Sequence, residues 1–285
     1  MIKLSPRLSQ KISYLLLFLA TVLAIVPGLL IISIIIAKGK DVFFAWDFLT
    51  LMPINGMLDG GIFPAIIGTL LLIIITIFLS LPIGIGAAIY LNEYAKDNLL
   101  TRMIKLSIVN LAGVPSIVYG LFGLGIFVMY LKLGVSIIAG VLTLSVMELP
   151  VIITTSRSAL KSVPYLFREA SLSLGVSRWD TIKYIVLPNA IPGILTGVIL
   201  SIARIAGETA PLLFTAVAFY TPYLPHSIYD QVMILPYHLY ITATQIPNIG
   251  KDRIFATAFM LLMIVLTMNF IAIIIRIYFR KNRKW

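Results

Sequence analysis

The sequence predicts an all-α integral membrane protein with six transmembrane helices, and its composition and its pattern both lead there. Apolar residues make up 60% of the 285 residues, whereas charged residues make up only 12%. A soluble domain carries ~25% charged residues and uses them to cover its surface. The apolar residues also fall in long runs, and a helix needs about 20 such residues to cross a bilayer.

Six runs of this length divide the chain, and we interpret residues 1–285 as one transmembrane domain. The first run is too long for the ~7–15-residue core of a signal peptide and lacks a small-residue cleavage motif, so we expect a retained span. Pro82 predicts that the second span tilts or bends. The predicted spans cover residues 12–37, 62–91, 106–131, 135–153, 190–219 and 254–278.

The basic residues predict the orientation of the spans. With the N-terminus inside the cell, sixteen Lys and Arg residues fall in inner segments, five fall in outer segments, and Arg204 lies within a span. Cytoplasmic loops are the ones that collect Lys and Arg, so both termini are expected to be cytoplasmic. Membrane topology therefore explains the net charge of +11 without a nucleic-acid partner.

Several chemistries are not expected from this sequence. The chain has no cysteine, which excludes disulfides, thiolate metal sites and cysteine nucleophiles. It has only two histidines, His226 and His238, so we expect no zinc site rich in histidine. The outer loop at 220–253 is rich in Tyr and Pro, which indicates either an aromatic belt at the membrane interface or a docking surface, and the belt is the simpler interpretation.

The longest inner segment, residues 154–189, predicts two short helices joined by a turn. Pro164 can occupy the first turn of a helix, and Gly175 can end that helix in the left-handed conformation. Ser177 is a candidate N-cap for the second helix, with Asp180 three residues later. We expect Leu187-Pro188 to end it and lead back to the membrane. The element either lies on the lipid headgroups or docks a soluble partner.

This loop resembles the EAA motif of ABC importer permeases, in which Glu-Ala-Ala, three residues, Gly, nine residues and Ile-x-Leu-Pro follow one another. Only Ser171, in place of the second alanine, departs from it. The resemblance implies an ABC importer permease fold whose coupling helices sit in a cleft of an ATPase. It implies that Glu169 anchors the first helix and that Gly175 lets the chain turn. The coupling residues it implies are Glu169, Ala170, Ser171, Gly175, Leu187 and Pro188.

The chain itself is not expected to be an enzyme. It contains no Gly-x-x-x-x-Gly-Lys-Ser/Thr phosphate loop, so ATP and Mg would bind to a separate ATPase chain. No Ser/His or Asp/Asp arrangement in the spans suggests catalysis either. We therefore expect no cofactor and no metal site in this chain.

Three ionisable residues fall within the predicted spans, where each costs ~2.5–3.5 kcal/mol and is a functional candidate. Arg204 and Glu208 are four residues apart and are expected to share a helix face, while Glu148 lies near the inner end of span four. The pair either neutralises itself and packs the bundle, or places a guanidinium on the transport pathway. A guanidinium can bind phosphate through two parallel hydrogen bonds, and we favour that hypothesis.

Residues 203–216, and Gly113-Val-Pro-Ser-Ile-Val-Tyr-Gly120 at the third span, resemble the A-type permease subunit of phosphate-specific ABC importers (PstA-like), over about residues 62–278. The resemblance implies a multi-pass protein of the cell membrane that imports inorganic phosphate by alternating access. The partners it implies are a homologous C-type permease subunit, two ATP-binding subunits, an extracytoplasmic phosphate-binding protein and membrane lipid. The expected pathway residues are Arg204, Glu208, Thr209, Ser116 and Tyr119.

One departure from that family concerns the end of span four. Relatives carry an arginine a few residues after the Leu-Pro pair, and Thr154 stands there in this chain. Arg157 either replaces the missing charge or is an ordinary loop residue, and we take it as a loop residue.

Two other functions stay open. A guanidinium alone cannot separate phosphate from molybdate, tungstate or sulfate, so the cargo could be another tetrahedral oxyanion. An ATP-independent channel or carrier is the alternative from another class, and it would have no ATPase partner and no use for the 154–189 loop.

Overall fold

The computed structural model describes residues 6–281, so Lys3, Arg283 and Lys284, which contribute to the predicted orientation, lie outside the described residues. The described chain is almost entirely helical. Its helices are α1 (Pro6–Phe43), α2 (Trp46–Thr50), α3 (Phe63–Ile89), α4 (Leu99–Ala112), α5 (Ser116–Gly123), α6 (Ile137–Ser162), α7 (Tyr165–Ser173), α8 (Arg178–Thr181), α9 (Leu187–Gly207), α10 (Ala210–Thr215), α11 (Leu235–Thr244) and α12 (Lys251–Lys281).

Shorter elements extend or connect these helices. π-helical turns at Tyr90–Tyr94, Leu124–Tyr130 and Ile182–Val186 continue α3, α5 and α8. Between α2 and α3, β1 (Pro53–Ile54) pairs antiparallel with β2 (Asp59–Gly60) across a 3-10 turn.

Five helical segments in the described part of the chain are long and apolar enough to cross a membrane, and α4 with α5 forms a bent pair that makes six if it counts as one span. The other spans are α1, α3, the continuous segment from α8 through α9, α6, and α12. The predicted all-α membrane fold is confirmed.

The helices pack in a row through small residues. α3 contacts α6, α6 contacts α9, α9 contacts α12, and α12 contacts α1. A Cβ added at Gly84 of α3 would lie 2.5 Å from the Ile152 side chain of α6, and one at Gly193 of α9 would lie 2.6 Å from Ala159. Such close approaches are how helices associate in lipid, where the hydrophobic effect does not drive them together.

Two apolar clusters fill the interior. One cluster extends to the β1–β2 hairpin; we call it the hairpin-side core, and it includes Leu72, Leu144 and Met233. The other extends to the segment between α6 and α9; we call it the loop-side core, and it includes Leu160 and Val186. Met147 of α6 and Ile205 of α9 belong to the hairpin-side core, while Ile153 and Val198 belong to the loop-side core. Glu148 and Arg204 therefore lie at the boundary between the two cores.

The third predicted span differs from the expected single helix over 106–131. It divides into α4 and α5, which are bent by 104°. Pro115 explains the bend, because it has no N–H to donate and it forces the preceding residue out of the helical conformation. The chain turns at Gly113–Pro115, and α5 begins at Ser116.

The fifth predicted span, 190–219, also differs in the structure. The helix begins earlier, because α8 continues through the Ile182–Val186 turn into α9, so Leu187-Pro188 does not end it. Pro188 lies in the first turn of α9, directly after the π-helical turn. The helix ends at Gly207, and Glu208 is already extended, with φ −72° and ψ 131°.

Candidate functional site

Three charged side chains meet inside the bundle, and we call Glu148, Arg204 and Glu208 the membrane cluster. Arg204 Nε lies 3.4 Å from Glu208 Oε1 and 3.5 Å from Glu148 Oε1. Glu148 is fully buried, Glu208 is 14% exposed and Arg204 is 30% exposed. The cluster thus joins α6 to the end of α9, and Arg204 is its most exposed side chain.

Backbone geometry places Glu208 differently from the sequence-based expectation. Arg204 lies in the last turn of α9, but Glu208 follows the helix end, and its N–H donates to the Ile205 carbonyl at 3.2 Å. The two residues therefore meet across a helix terminus rather than along one helix face. A helix break of this kind at membrane depth is tolerated where it is buried in protein or lines a cavity.

The membrane cluster has unused hydrogen-bonding capacity. Neither carboxylate oxygen of Glu148 accepts a hydrogen bond from any described residue. The buried hydroxyls of Ser201, which lies beside Glu148 without hydrogen-bond geometry, and of Ser145, which precedes Glu148 by three residues in α6, likewise have no partner among the described residues. Buried polar groups are nearly always paired, so unpaired ones in one place mark a site with a function or with bound water.

Both carboxylates approach the guanidinium at Nε. No hydrogen bond from Nη1 or Nη2 of Arg204 to a described residue is present, and the only one that Arg204 donates runs from Nε to Glu208. The edge formed by the two Nη atoms can bind an oxyanion through two parallel hydrogen bonds. The arrangement can hold the guanidinium in place and still offer that edge to a ligand.

The other expected pathway residues lie near the helix breaks. Tyr119 is buried in α5, within electrostatic range of Arg204 and Glu148, and its hydroxyl donates to the Leu111 carbonyl at 2.8 Å. That bond fastens α5 to α4 across their bend. Ser116 is the first residue of α5, and Thr209 precedes α10, where its carbonyl accepts from Leu213 N–H at 3.0 Å.

Neighbouring glycines bring α5 and α10 together. A Cβ at Gly120 would lie 2.8 Å from Pro211 Cα, and one at Gly123 would meet Thr143 and Thr215. These glycines therefore serve close packing. Thr154 and Arg157 both lie in α6, which continues to Ser162, so the expectation that Arg157 is a loop residue was wrong. Thr154 donates to its own helix, to the Pro150 carbonyl at 2.8 Å. Arg157 is half-buried, with an Nε that has no hydrogen-bond partner among the described residues.

The loop between α6 and α9, residues 163–186, forms the expected pair of short helices, and we call it the coupling loop. Gly175 adopts φ +78°, the left-handed conformation that the sequence predicts for it. Ser177 caps α8, where its hydroxyl accepts from Asp180 N–H at 3.1 Å, as predicted. Ser171, the departure from the motif, is buried and its hydroxyl lies 2.9 Å from that of Thr181, so it ties α7 to α8.

The coupling loop exposes several large apolar side chains. Glu169 and Ala170 of the same loop are also exposed. Soluble surfaces rarely expose so many large apolar groups together, and such patches mark interaction sites. The exposed apolar side chains are Tyr165, Leu166, Leu172, Leu174 and Trp179.

Sequence reasoning missed a second ion pair, between Arg168 of α7 and Glu93 at the end of α3. The guanidinium donates from Nη2 to Glu93 Oε1 at 2.8 Å and from Nε to Oε2 at 3.1 Å. Both side chains are about nine-tenths buried. The two residues are 75 positions apart, so no local pattern links them; the only signal was an arginine directly before the Glu-Ala-Ser word.

Comparisons with known proteins bear on the chain as a whole. Residues 80–284 match the model of the family described as binding-protein-dependent transport system inner membrane component. The chain is 33% identical to the phosphate transport system permease protein PstA 1 of Mycobacterium tuberculosis, over 99% of this chain and 92% of that protein. It is 41% identical to the probable ABC transporter permease protein YqgI of Bacillus subtilis, over 69% of this chain and 66% of that protein.

A solved structure shares the fold at low sequence identity. A chain of a bacterial ABC transporter involved in the import of the acidic polysaccharide alginate superposes with a TM-score of 0.67 and 16% identity, covering 98% of this chain and 100% of that one. At this identity the likeness concerns the fold alone, and it is the fold of an ABC importer permease.

Proposed function

The chain belongs to the binding-protein-dependent transport system inner membrane component family, and from that premise we propose that it is the permease subunit of an ATP-driven importer of inorganic phosphate. The observation that carries the proposal is the Arg204 guanidinium, held at Nε by two carboxylates with its Nη edge unengaged. Phosphate matches that edge. Relatives named as phosphate transport permeases, which align over nearly the whole chain, support the same cargo.

We propose that Arg204 offers phosphate a weak, transient site. Two carboxyl groups next to one guanidinium compete with an anion for it, which opposes tight binding of the anion. A transport site must release its cargo, so a modest affinity suits it. Glu208 and Glu148 would orient the guanidinium, and Thr209 and Ser116 would supply hydroxyl donors beside the helix breaks.

The coupling loop would dock a separate ATPase, with its exposed apolar face in a cleft of that subunit and with Glu169 as an anchor. Two ATP-binding subunits, a homologous C-type permease and an extracytoplasmic phosphate-binding protein would complete the transporter. Both termini and the coupling loop would face the cytoplasm, in keeping with the distribution of basic residues. Family membership favours this importer over an ATP-independent channel or carrier.

The cargo is tested by uptake in membranes that carry this chain with its neighbouring permease, ATPase and binding protein. We expect ATP-dependent uptake of labelled phosphate that resists excess molybdate, tungstate or sulfate and that is lost in Arg204→Ala. Arg102→Ala, which removes an exposed arginine in α4, is the control and should transport normally. Uptake of molybdate, tungstate or sulfate instead would overturn the phosphate assignment and leave the importer standing.

The coupling role is tested by Glu169→Lys and Gly175→Asp. The first reverses an exposed charge, and the second places a side chain where φ is +78°, at a cost of about 1–2 kcal/mol. Both should leave the bundle folded but uncouple ATP hydrolysis from uptake. Normal uptake with normal co-purification of the ATPase in both variants would remove the coupling loop from the mechanism.

A further inference from the structure

We infer that Arg168 and Glu93 form the mechanical link through which a displacement of the coupling loop moves the second span, α3. We call this pair the loop–span link. The inference rests on the proposed ATP-driven importer, because it concerns how the motion of an ATPase would reach the membrane. It adds two residues to the transport machinery that the EAA motif does not contain.

The link joins three helices at one guanidinium. Besides the two bonds to Glu93, Arg168 donates from Nη1 to the Val163 carbonyl and from Nη2 to the Leu160 carbonyl, each at 2.9 Å. Those carbonyls lie at the end of α6, Arg168 itself lies in α7, and Glu93 ends α3. All three nitrogens of the guanidinium are therefore engaged, which leaves the side chain with a single favourable position.

A second arginine of the coupling loop, Arg178, contacts the π-helical turn that contains Glu93. Arg178 donates from Nη2 to the Glu93 backbone carbonyl, and its guanidinium carbon lies 5.1 Å from the centre of the Tyr94 ring. α7 and α8 thus each contribute one arginine that donates hydrogen bonds to the Tyr90–Tyr94 turn. Two attachment points resist rotation as well as separation, so the loop and the end of α3 should move as one body.

Burial makes the loop–span link stiff. In the low dielectric of the interior, separating a guanidinium from a carboxylate leaves both charges unpaired, which is strongly unfavourable. The exposed pair Asp97–Arg102 provides the contrast: it lies a few residues beyond Glu93, its side chains are each 67% exposed, and its oxygen–nitrogen distance is 3.1 Å. Solvent screens that pair, and it can open freely.

α3 can carry the displacement to the membrane cluster. Gly84 of α3 packs against Ile152 of α6, and Ile152 is one helical turn from Glu148. Close-packed helices transmit shifts as rigid bodies rather than absorb them. A loop motion applied at Glu93 would therefore change how α3 lies against the helix that carries one of the two Arg204 carboxylates.

The direct test measures distance between the loop and α3. Because the chain has no cysteine, spin labels can be introduced into it at Lys96→Cys and Ser173→Cys, both exposed in this chain, before the transporter is assembled. We expect one narrow distance that is the same without nucleotide and with a non-hydrolysable ATP analogue. In the Glu93→Gln background it should broaden or shift with nucleotide, whereas Arg102→Gln should leave it narrow. A wild-type distance that changes with nucleotide, or a Glu93→Gln distance that does not, would overturn the link.

A functional measurement separates transmission from a merely structural role. Glu93→Gln is expected to co-purify with the ATPase, hydrolyse ATP within about twofold of wild type, and lose about tenfold in uptake rate. Arg168→Lys keeps the positive charge but loses the two parallel donors of the guanidinium, so its uptake rate should lie between those of wild type and Glu93→Gln. Loss of ATPase co-purification in Glu93→Gln would show that the pair serves assembly, and that too would overturn the inference. If the wild-type transporter carries another oxyanion, the label distances still test the link.

Discussion

The loop–span link and the membrane cluster each surround an arginine with carboxylate, and they differ in how completely that arginine is used. At Arg168, all three guanidinium nitrogens donate hydrogen bonds, and the side chain is 10% exposed. At Arg204, one nitrogen donates a single hydrogen bond of 3.4 Å, and the side chain is 30% exposed. The same residue type therefore joins three helices in one place and leaves its two Nη atoms without a partner among the described residues in the other.

Inside a membrane protein, this difference separates a charge that joins helices from one that is available to a ligand. A buried ion pair whose partners are all satisfied gains most from staying as it is. A charge group with unpaired carboxylate oxygens and spare donors is expensive to maintain, and such groups mark sites of function.

The largest effect on stability is expected from Arg168→Ala. The change leaves the Glu93 carboxylate buried without its partner, which should lower the free energy of unfolding by about 3–5 kcal/mol. Arg204→Ala should cost less, because Arg204 is more exposed and makes one long hydrogen bond, and because Glu148, although fully buried, accepts no hydrogen bond that the change would remove. Thermal unfolding of both purified variants in detergent compares them, and equal losses would erase the distinction.

Acid should act on a third region, the buried His238 of α11, outside the spans. Burial, with Arg253 nearby, lowers the pKa of His238 from 6.5 to about 4. Between those values the unfolded chain binds a proton that the folded chain excludes, so stability is complete above pH 6.5 and falls as the pH drops towards 4, by about 3 kcal/mol in all. Unfolding curves from pH 7 to 4 measure this, and His238→Gln should flatten them. An unchanged slope in that variant would contradict the assignment.

Neutralising one carboxylate in each site should change stability in opposite directions. Glu148→Gln replaces a fully buried carboxyl group whose oxygens accept no hydrogen bond and leaves Glu208 beside Arg204, so it should raise the free energy of unfolding by about 1 kcal/mol. Glu93→Gln weakens two short charge-assisted bonds, and should lower it by about 1–2 kcal/mol. Denaturation of the two variants side by side gives the answer. A loss of stability in Glu148→Gln equal to that in Glu93→Gln would place both carboxylates in the structural class.

The smallest effect is expected from Arg102→Gln. Asp97 and Arg102 form an ion pair with ordinary geometry, and the neighbouring guanidinium lowers the pKa of Asp97, yet both side chains face solvent. Water and salt screen the attraction, so the melting temperature should not change measurably. A clear drop would mean that geometry alone, without burial, gives the loop–span link its strength.

Local patterns in the sequence predicted local features well. Apolar runs predicted the membrane helices, because lipid exposure requires them wherever a helix crosses. The left-handed Gly175 and the Ser177 cap followed from residue chemistry within a few positions. The bend at Pro115 carried a readable signal that the hydropathy obscured, since a bent helix in a membrane is as apolar as a straight one.

Long-range pairings were beyond the sequence. Arg204 and Glu208 were recognised because they are four residues apart, but the break after Gly207 that separates them was not. Glu148 was identified as costly in a span, yet its contact with Arg204 depends on how α6 packs against α9. Glu93 carried no signal, because its partner lies 75 residues away and the packing of the loop alone brings them together.

Phosphate uptake by Arg204→Lys in the assembled transporter tests directly whether the Arg204 guanidinium binds the cargo. Lysine keeps the positive charge between Glu148 and Glu208 but has no pair of parallel donors. If the unengaged Nη edge binds the cargo, the initial rate of labelled-phosphate uptake should fall about a hundredfold, since a charged two-bond contact contributes about 3 kcal/mol. Uptake within about twofold of wild type would show that Arg204 supplies charge alone, and the contrast between the two arginines would lose its functional meaning.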